Sequence, residues 1–145
     1  MGGGPGRSIP VVLVHAYVET WKYYANVLRL LPESLHALAP TLRGHRSVQG
    51  RVVGFQLSDF ATDIVDVLEV VGVTKALLVG ASSGGLVAQV VATSSPERVA
   101  GLVLMSSPVT LTDEPGVTAM RADVLGMTGS SFASSATNLE GRGVR

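Results

Sequence analysis

An α/β fold with a mostly parallel sheet in three layers, helix on sheet on helix, is what this sequence predicts, and three observations predict it. Short β-branched apolar runs alternate with segments of helical period from residue 9 to residue 106. The first and third runs are apolar throughout, as strands buried on both faces are, and the runs are bounded by Gly, Pro or polar residues. Strands alternating with helices at this spacing need right-handed crossovers, and those make the sheet parallel.

The elements follow in order. Ile9-Pro10-Val11-Val12-Leu13-Val14 reads as the first strand. Trp21, Tyr24, Ala25, Leu28 and Leu31 recur at helical spacing behind Thr20, an N-cap residue type, and stop at Pro32. His36-Ala37-Leu38-Ala39 is the second strand, ending at Pro40, and a polar loop runs from Thr41 to Gly54. The next helix carries Leu57, Phe60, Ala61, Ile64, Val67, Leu68 and Val71 on one face, with Asp59, Asp63 and Asp66 on a face expected to be solvated. Gly72 closes it as a C′ glycine. Ala76-Leu77-Leu78-Val79 is the third strand, Leu86 to Thr93 an apolar third helix, and Gly101 to Met105 the fourth strand. Beyond Pro108 the pattern fades into Thr, Gly, Ser and Ala, with a short helix around Val117 to Leu125 at most.

Composition narrows the function classes. The chain has 145 residues, 46% of them hydrophobic and 15% charged, enough for one domain that buries roughly 70% of its unfolded surface. It has no cysteine, which excludes disulfide frameworks, zinc ribbons and thiol nucleophiles. Eleven basic and eleven acidic residues give a formal charge of zero without clusters, so nucleic acid is not an expected partner. The longest apolar run, Val99 to Met105, falls far short of the ~20 residues that span a bilayer. The start, from Met1 to Arg7, lacks the apolar stretch of a secretory leader. A cytoplasmic protein without membrane contact is the expectation, and no metal or cofactor is expected.

The residues that carry chemistry are Gly80-Ala81-Ser82-Ser83-Gly84, a G-x-S-x-G pattern between a buried strand and an apolar helix. The chain must reverse from strand to helix within very few residues. That forces Ser82 into a strained conformation with Oγ held out at the carboxyl edge of the sheet. Gly80 and Gly84 lack the Cβ atoms that would collide as strand and helix pass, and Gly85 continues the small stretch. The helix that begins here aims N–H groups at the same point, Ser83 N–H first, so negative charge on a substrate oxygen is stabilised there. The competing interpretation is a Gly/Ser-rich turn that merely joins β to α. A nucleotide-binding βαβ unit fits poorly, because Ser82 stands where G-x-G-x-x-G needs glycine and no Walker lysine follows Gly84.

With these residues in place, the stretch 9–110 resembles the α/β-hydrolase family. Val12-Leu13-Val14-His15-Ala16-Tyr17 is similar to the family's strand and His-Gly turn, and Ala39-Pro40-Thr41-Leu42-Arg43-Gly44-His45 to its A-P-D-x-R-G-H-G loop. Ser95-Pro96-Glu97-Arg98-Val99-Ala100-Gly101-Leu102-Val103-Leu104 resembles the P-E-R-V-x-G-L-V-L run that follows the nucleophile helix. Ala16, Thr41 and Arg46 depart from the family's glycine, acid and glycine. The resemblance implies the family's third to sixth strands, side by side in the order 4-3-5-6. The order reverses between this chain's first and third strands, where ligands of parallel sheets bind. It further implies Ser82 as nucleophile, the backbone N–H groups of Tyr17 and Ser83 as oxyanion hole, and Tyr17 and Val18 along the acyl pocket. His15 supports the oxyanion turn. The substrate class that the resemblance implies is an ester, thioester, lactone or amide, a small acyl molecule handled through an acyl-enzyme.

The family places its triad acid and histidine after the serine, but His15, His36 and His45 all precede Ser82. Asp113 and Glu114 follow the fourth strand and are expected in a surface loop; His45 is expected to brace its loop beside Arg43, and His36 to end a strand. Trp21, Tyr23 and Tyr24 are expected to pack the first helix. The chain is therefore expected to be a partial member of the family. It divides into a flexible start over 1–10, a core over 11–110, and the start of a lid region or a flexible tail over 111–145. Weak or undetectable esterase activity follows for these 145 residues, as does self-association through sheet edges near Leu38 and Leu104 that lack neighbours. The alternative is a noncatalytic binding protein that keeps the pocket without the base.

Overall fold

The structure, a computed structural model, describes residues 9–45 and 55–107. Four strands form one sheet: β1 (Val11–Val14), β2 (Ala37–Leu38), β3 (Ala76–Ala81) and β4 (Val99–Met105). All pairs are parallel and the spatial order is β2-β1-β3-β4, which is the expected 4-3-5-6. The expected short helix near Val117, the expected tail over 111–145 and residues 1–8 of the expected flexible start over 1–10 lie outside the described residues.

Three helices join the strands: α1 (Ala25–Leu30), α2 (Leu57–Val70) and α3 (Ser83–Ser94). The path steps from β1 outward to β2, then back over β1 to β3 and on to β4. Because parallel crossovers are right-handed, that reversal moves the connecting helices to the other face. Tyr24 and Leu28 accordingly pack with Val11, Leu13, Val79 and Ala81 on one face. On the other, Phe60, Ile64 and Leu68 of α2 and Val87, Ala88 and Val91 of α3 pack on Val12, Val14, Ala76 and Leu78. Val12, Val14, Leu78, Ile64, Leu68 and Val91 are completely buried, each contributing about 1.5–3 kcal/mol of transfer free energy.

Local signals explain the helix ends. Gln56 and Asp59 form a reciprocal capping box at the start of α2, with Gln56 N–H donating to Asp59 Oδ2 at 2.7 Å. Gly72 takes φ +68° just past its end, the left-handed position in which a side chain is strained. Thr20 Oγ1 accepts from Lys22 N–H at 3.3 Å, but the first turn behind it, Trp21–Tyr24, is a 3-10 turn that runs into α1. The tighter turn has a different period, so Trp21 and Tyr23 do not pack as expected: both are about half exposed, and only Tyr24 is buried.

Candidate active site

The carboxyl ends of β1 and β3 lie side by side, with Val14 opposite Gly80. After β1 the chain passes through His15 and turns at Tyr17-Val18, closed by Glu19 N–H donating to Ala16 O at 3.0 Å. After β3 it passes through Ser82 directly into α3. The residues singled out in the sequence, Tyr17, Val18, Gly80, Ser82, Ser83, Gly84 and Gly85, are thus gathered at one edge of the sheet, at the point where the strand order reverses.

Ser82 has φ +49° and ψ −119°, a backbone conformation that non-glycine residues rarely adopt. Its N–H donates to Met105 O at 2.9 Å and its carbonyl accepts from Gly85 N–H at 2.9 Å, so the strained residue is tied on both sides. It occupies the N-cap position of α3, yet its side chain makes no capping bond. An N-cap serine ordinarily spends its oxygen on the helix N–H groups. Here the turn carries the half-buried Ser82 hydroxyl elsewhere, so no side chain caps the head of α3, where Ser83 N–H comes first.

The glycines permit this turn by absence of side chains. A Cβ on Gly80 would overlap the Gly85 Cα and the Gly84 carbonyl, and a Cβ on Gly84 would overlap the carbonyls of Val14 and His15. The start of α3 therefore rests on the backbone of both central strands.

Side chains hold the other half of the site. His15 is completely buried; its Nδ1–H donates to Ala16 O at 2.8 Å and its Nε2 accepts from Leu42 N–H at 3.0 Å. A backbone N–H can only donate, which fixes the ring as the neutral Nδ1–H tautomer. Burial, followed by the nearby His45 ring, outweighs the Ala16 bond and lowers the His15 pKa to about 4. His45 contacts the rings of His15, Tyr17 and Phe60 edge-on, with centroids 4.9, 5.7 and 5.7 Å apart. Its Nδ1–H donates to Arg43 O at 2.9 Å. Beneath the turn, Tyr24 Oη donates to Val14 O at 3.1 Å, and burial raises the phenol pKa to about 12.

The loop after β2 is anchored to α2. Arg43 makes a two-pronged ion pair with Asp63, Nε to Oδ2 at 2.8 Å and Nη2 to Oδ1, and the Arg43 N–H donates to the same carboxylate at 3.3 Å. Asp63 is therefore not part of a solvated face, and Asp59 is spent on the capping box; of the three, only Asp66 is exposed as expected. Sequence periodicity had no access to the Arg43–Asp63 pair, because its partners are separated by 20 residues and lie on different elements.

His36 is exposed and precedes β2, at the edge of the sheet opposite Ser82. Among the described residues no hydrogen bond links Ser82 to an imidazole, and no three metal-ligating side chains converge. Asp113 and Glu114 lie outside the described residues. No helix among those described is long and apolar enough to cross a membrane.

A strained serine between a parallel strand and a helix, set at the switch point of a sheet ordered β2-β1-β3-β4, defines a hydrolase-type α/β core. The family model of the alpha/beta hydrolase fold matches residues 9–138, and the chain belongs to that family. It is 32% identical over 83 residues to soluble epoxide hydrolase of a Corynebacterium species, covering 57% of this chain and 29% of that relative. It is 32% identical over 109 residues to 2-hydroxymuconate semialdehyde hydrolase of a Pseudomonas species, covering 70% of this chain and 38% of that relative. Among solved structures it is similar to Est816, described as an N-acyl homoserine lactone degrading enzyme, with TM-score 0.66 and 27% identity over 83% of this chain and 48% of that one. The chain spans less than half the length of each of these relatives.

Proposed function

We propose that the protein is a serine hydrolase in which Ser82 attacks the carbonyl carbon of an ester, thioester, lactone or amide and forms an acyl-enzyme. The observation that carries this reading is the conformation of Ser82: φ +49°, tied at N–H and carbonyl, with a side chain withheld from the helix it precedes. Strain of that kind, in a residue that a cap would otherwise satisfy, belongs with presentation of a nucleophile. The N–H groups of Ser83 and Tyr17 would bind the oxyanion, and Tyr17 and Val18 would border the acyl group.

A relative named for epoxide hydrolysis raises a second substrate class, and the side chain at position 82 argues against it. An epoxide opened by a carboxylate gives an ester, which water cleaves to regenerate the enzyme. Opened by the Ser82 oxygen, it would give an alkyl ether, which water does not cleave under mild conditions. Serine turns over where water can cleave the adduct, as it can an acyl ester and cannot an alkyl ether.

A serine hydroxyl also needs a proton acceptor, and His15 cannot be it because both ring nitrogens are engaged. Loss of a triad base costs on the order of 10⁴ to 10⁶ in turnover, leaving roughly 10³ over water from oxyanion donors and binding. The 145 residues alone are accordingly proposed to hydrolyse p-nitrophenyl esters weakly or not at all. In the natural gene product, rapid fluorophosphonate labelling that Ser82→Ala abolishes is the expected result. A gene product that retains an acyl ligand but never labels would instead be the noncatalytic binder.

A further inference from the structure

Ser107 has no part in the site described above. β4 ends at Met105, whose carbonyl accepts the Ser82 N–H, and the next residue, Ser106, has φ +49°, the same left-handed value as Ser82. Two neighbouring parallel strands thus end side by side at a serine with positive φ, where glycine would be unstrained. The turn at Ser106 sets Ser107 against the start of α3. A Cβ built on Gly85 would overlap both the Oγ and the Cβ of Ser107, the Oγ most closely. That oxygen is fully buried and has no hydrogen-bond partner among the described residues.

A hydroxyl buried without a partner is destabilising by itself. Contact offsets this: the Ser107 hydroxyl fills the volume that a side chain at position 85 would occupy. The first turn of α3 is consequently held on three sides, by Gly80 beneath Gly85, by the Val14 and His15 carbonyls against Gly84, and by Ser107 against Gly85. Two of these contacts are backbone on backbone. The third is a side chain carried just past the end of β4.

We propose that Ser107 is a positioning residue for Ser82, a wedge from β4 that fixes the first turn of α3 and with it the Ser83 N–H relative to Ser82 Oγ. The inference rests on the reading of Ser82 as nucleophile, but its mechanical part can be measured without it. Ser107→Gly removes the wedge and Ser107→Thr presses an extra methyl on Gly85. Both should speed amide hydrogen exchange at residues 83–86 about tenfold relative to residues 60–68 of α2. In the natural gene product both should slow fluorophosphonate labelling of Ser82 about tenfold, with the pH profile of labelling unshifted and the melting midpoint of Ser107→Gly nearly unchanged. Ser107→Ala, which keeps the Cβ, should fall between them and wild type. Exchange at 83–86 unaltered in every variant, or raised equally in α2, overturns the proposal. So does faster exchange with an unaltered labelling rate. If wild type itself does not label, the serine-hydrolase reading fails, and the exchange data alone decide whether Ser107 holds the turn.

Discussion

The two halves of the candidate site are held by different physics. At the end of β3, the elbow around Ser82 is set mainly by backbone packing, made possible by Gly80, Gly84 and Gly85. At the end of β1, the turn at Tyr17 is set by side chains, with His15 bonded to Leu42 N–H, Tyr24 to Val14 O, and His45 packed on Tyr17. The first half is therefore sensitive to volume and indifferent to pH, whereas the second is sensitive to protonation. On the proposed serine-hydrolase reading the oxyanion takes one donor from each half, so either kind of perturbation should reach the same chemistry.

The largest separation between the halves is expected from Gly84→Ala. Its Cβ meets backbone on two residues, which cannot step aside as a side chain can, so a loss of about 3 kcal/mol or more is expected. Urea denaturation would show it, and an unchanged midpoint would mean the strands and helix are not in such close contact.

Acid should act on the other half. The folded-state pKa of His15 is about 4 against 6.5 for the free side chain. Between those values the unfolded chain binds a proton that the folded protein does not. The contribution of His15 is therefore fully present above pH 6.5, declines as pH falls, and is gone below about 4. The shift corresponds to at most about 3 kcal/mol. Denaturation midpoints from pH 7 to pH 4 should fall for wild type, and His15→Gln should flatten that slope; parallel slopes would refute the assignment.

Smaller effects test the supports of the β1 half. Tyr24→Phe leaves the ring in place and removes the bond to Val14 O, at an expected cost of about 1 kcal/mol in thermal or urea unfolding. Asp63→Asn weakens a partly exposed ion pair and should cost less than about 1 kcal/mol, with the difference from wild type shrinking in salt. A salt-independent loss would instead assign the contact to packing or hydrogen bonding.

Much of this arrangement was legible in the residues. Buried strands announce themselves by unbroken apolar runs, so the runs read over Ile9–Val14 and Ala76–Val79 were found as strands Val11–Val14 and Ala76–Ala81; the crossover rule made them parallel, and their order followed from the family resemblance. The elbow was legible because its glycines and serine are contiguous. What stayed hidden were contacts between distant segments, including Arg43 with Asp63, Tyr24 with Val14 and Ser107 with Gly85, which no local period encodes. Trp21 was misplaced for another reason, since a 3-10 turn shifts the face that an α-helical period assigns.

The uncapped start of α3 has one more consequence. On the proposed reading, the Ser83 N–H at its head, which no side chain caps, would receive an oxygen anion. Small oxyanions such as borate or phosphonate should therefore bind more tightly than neutral molecules of equal size, and should raise the melting temperature as they do.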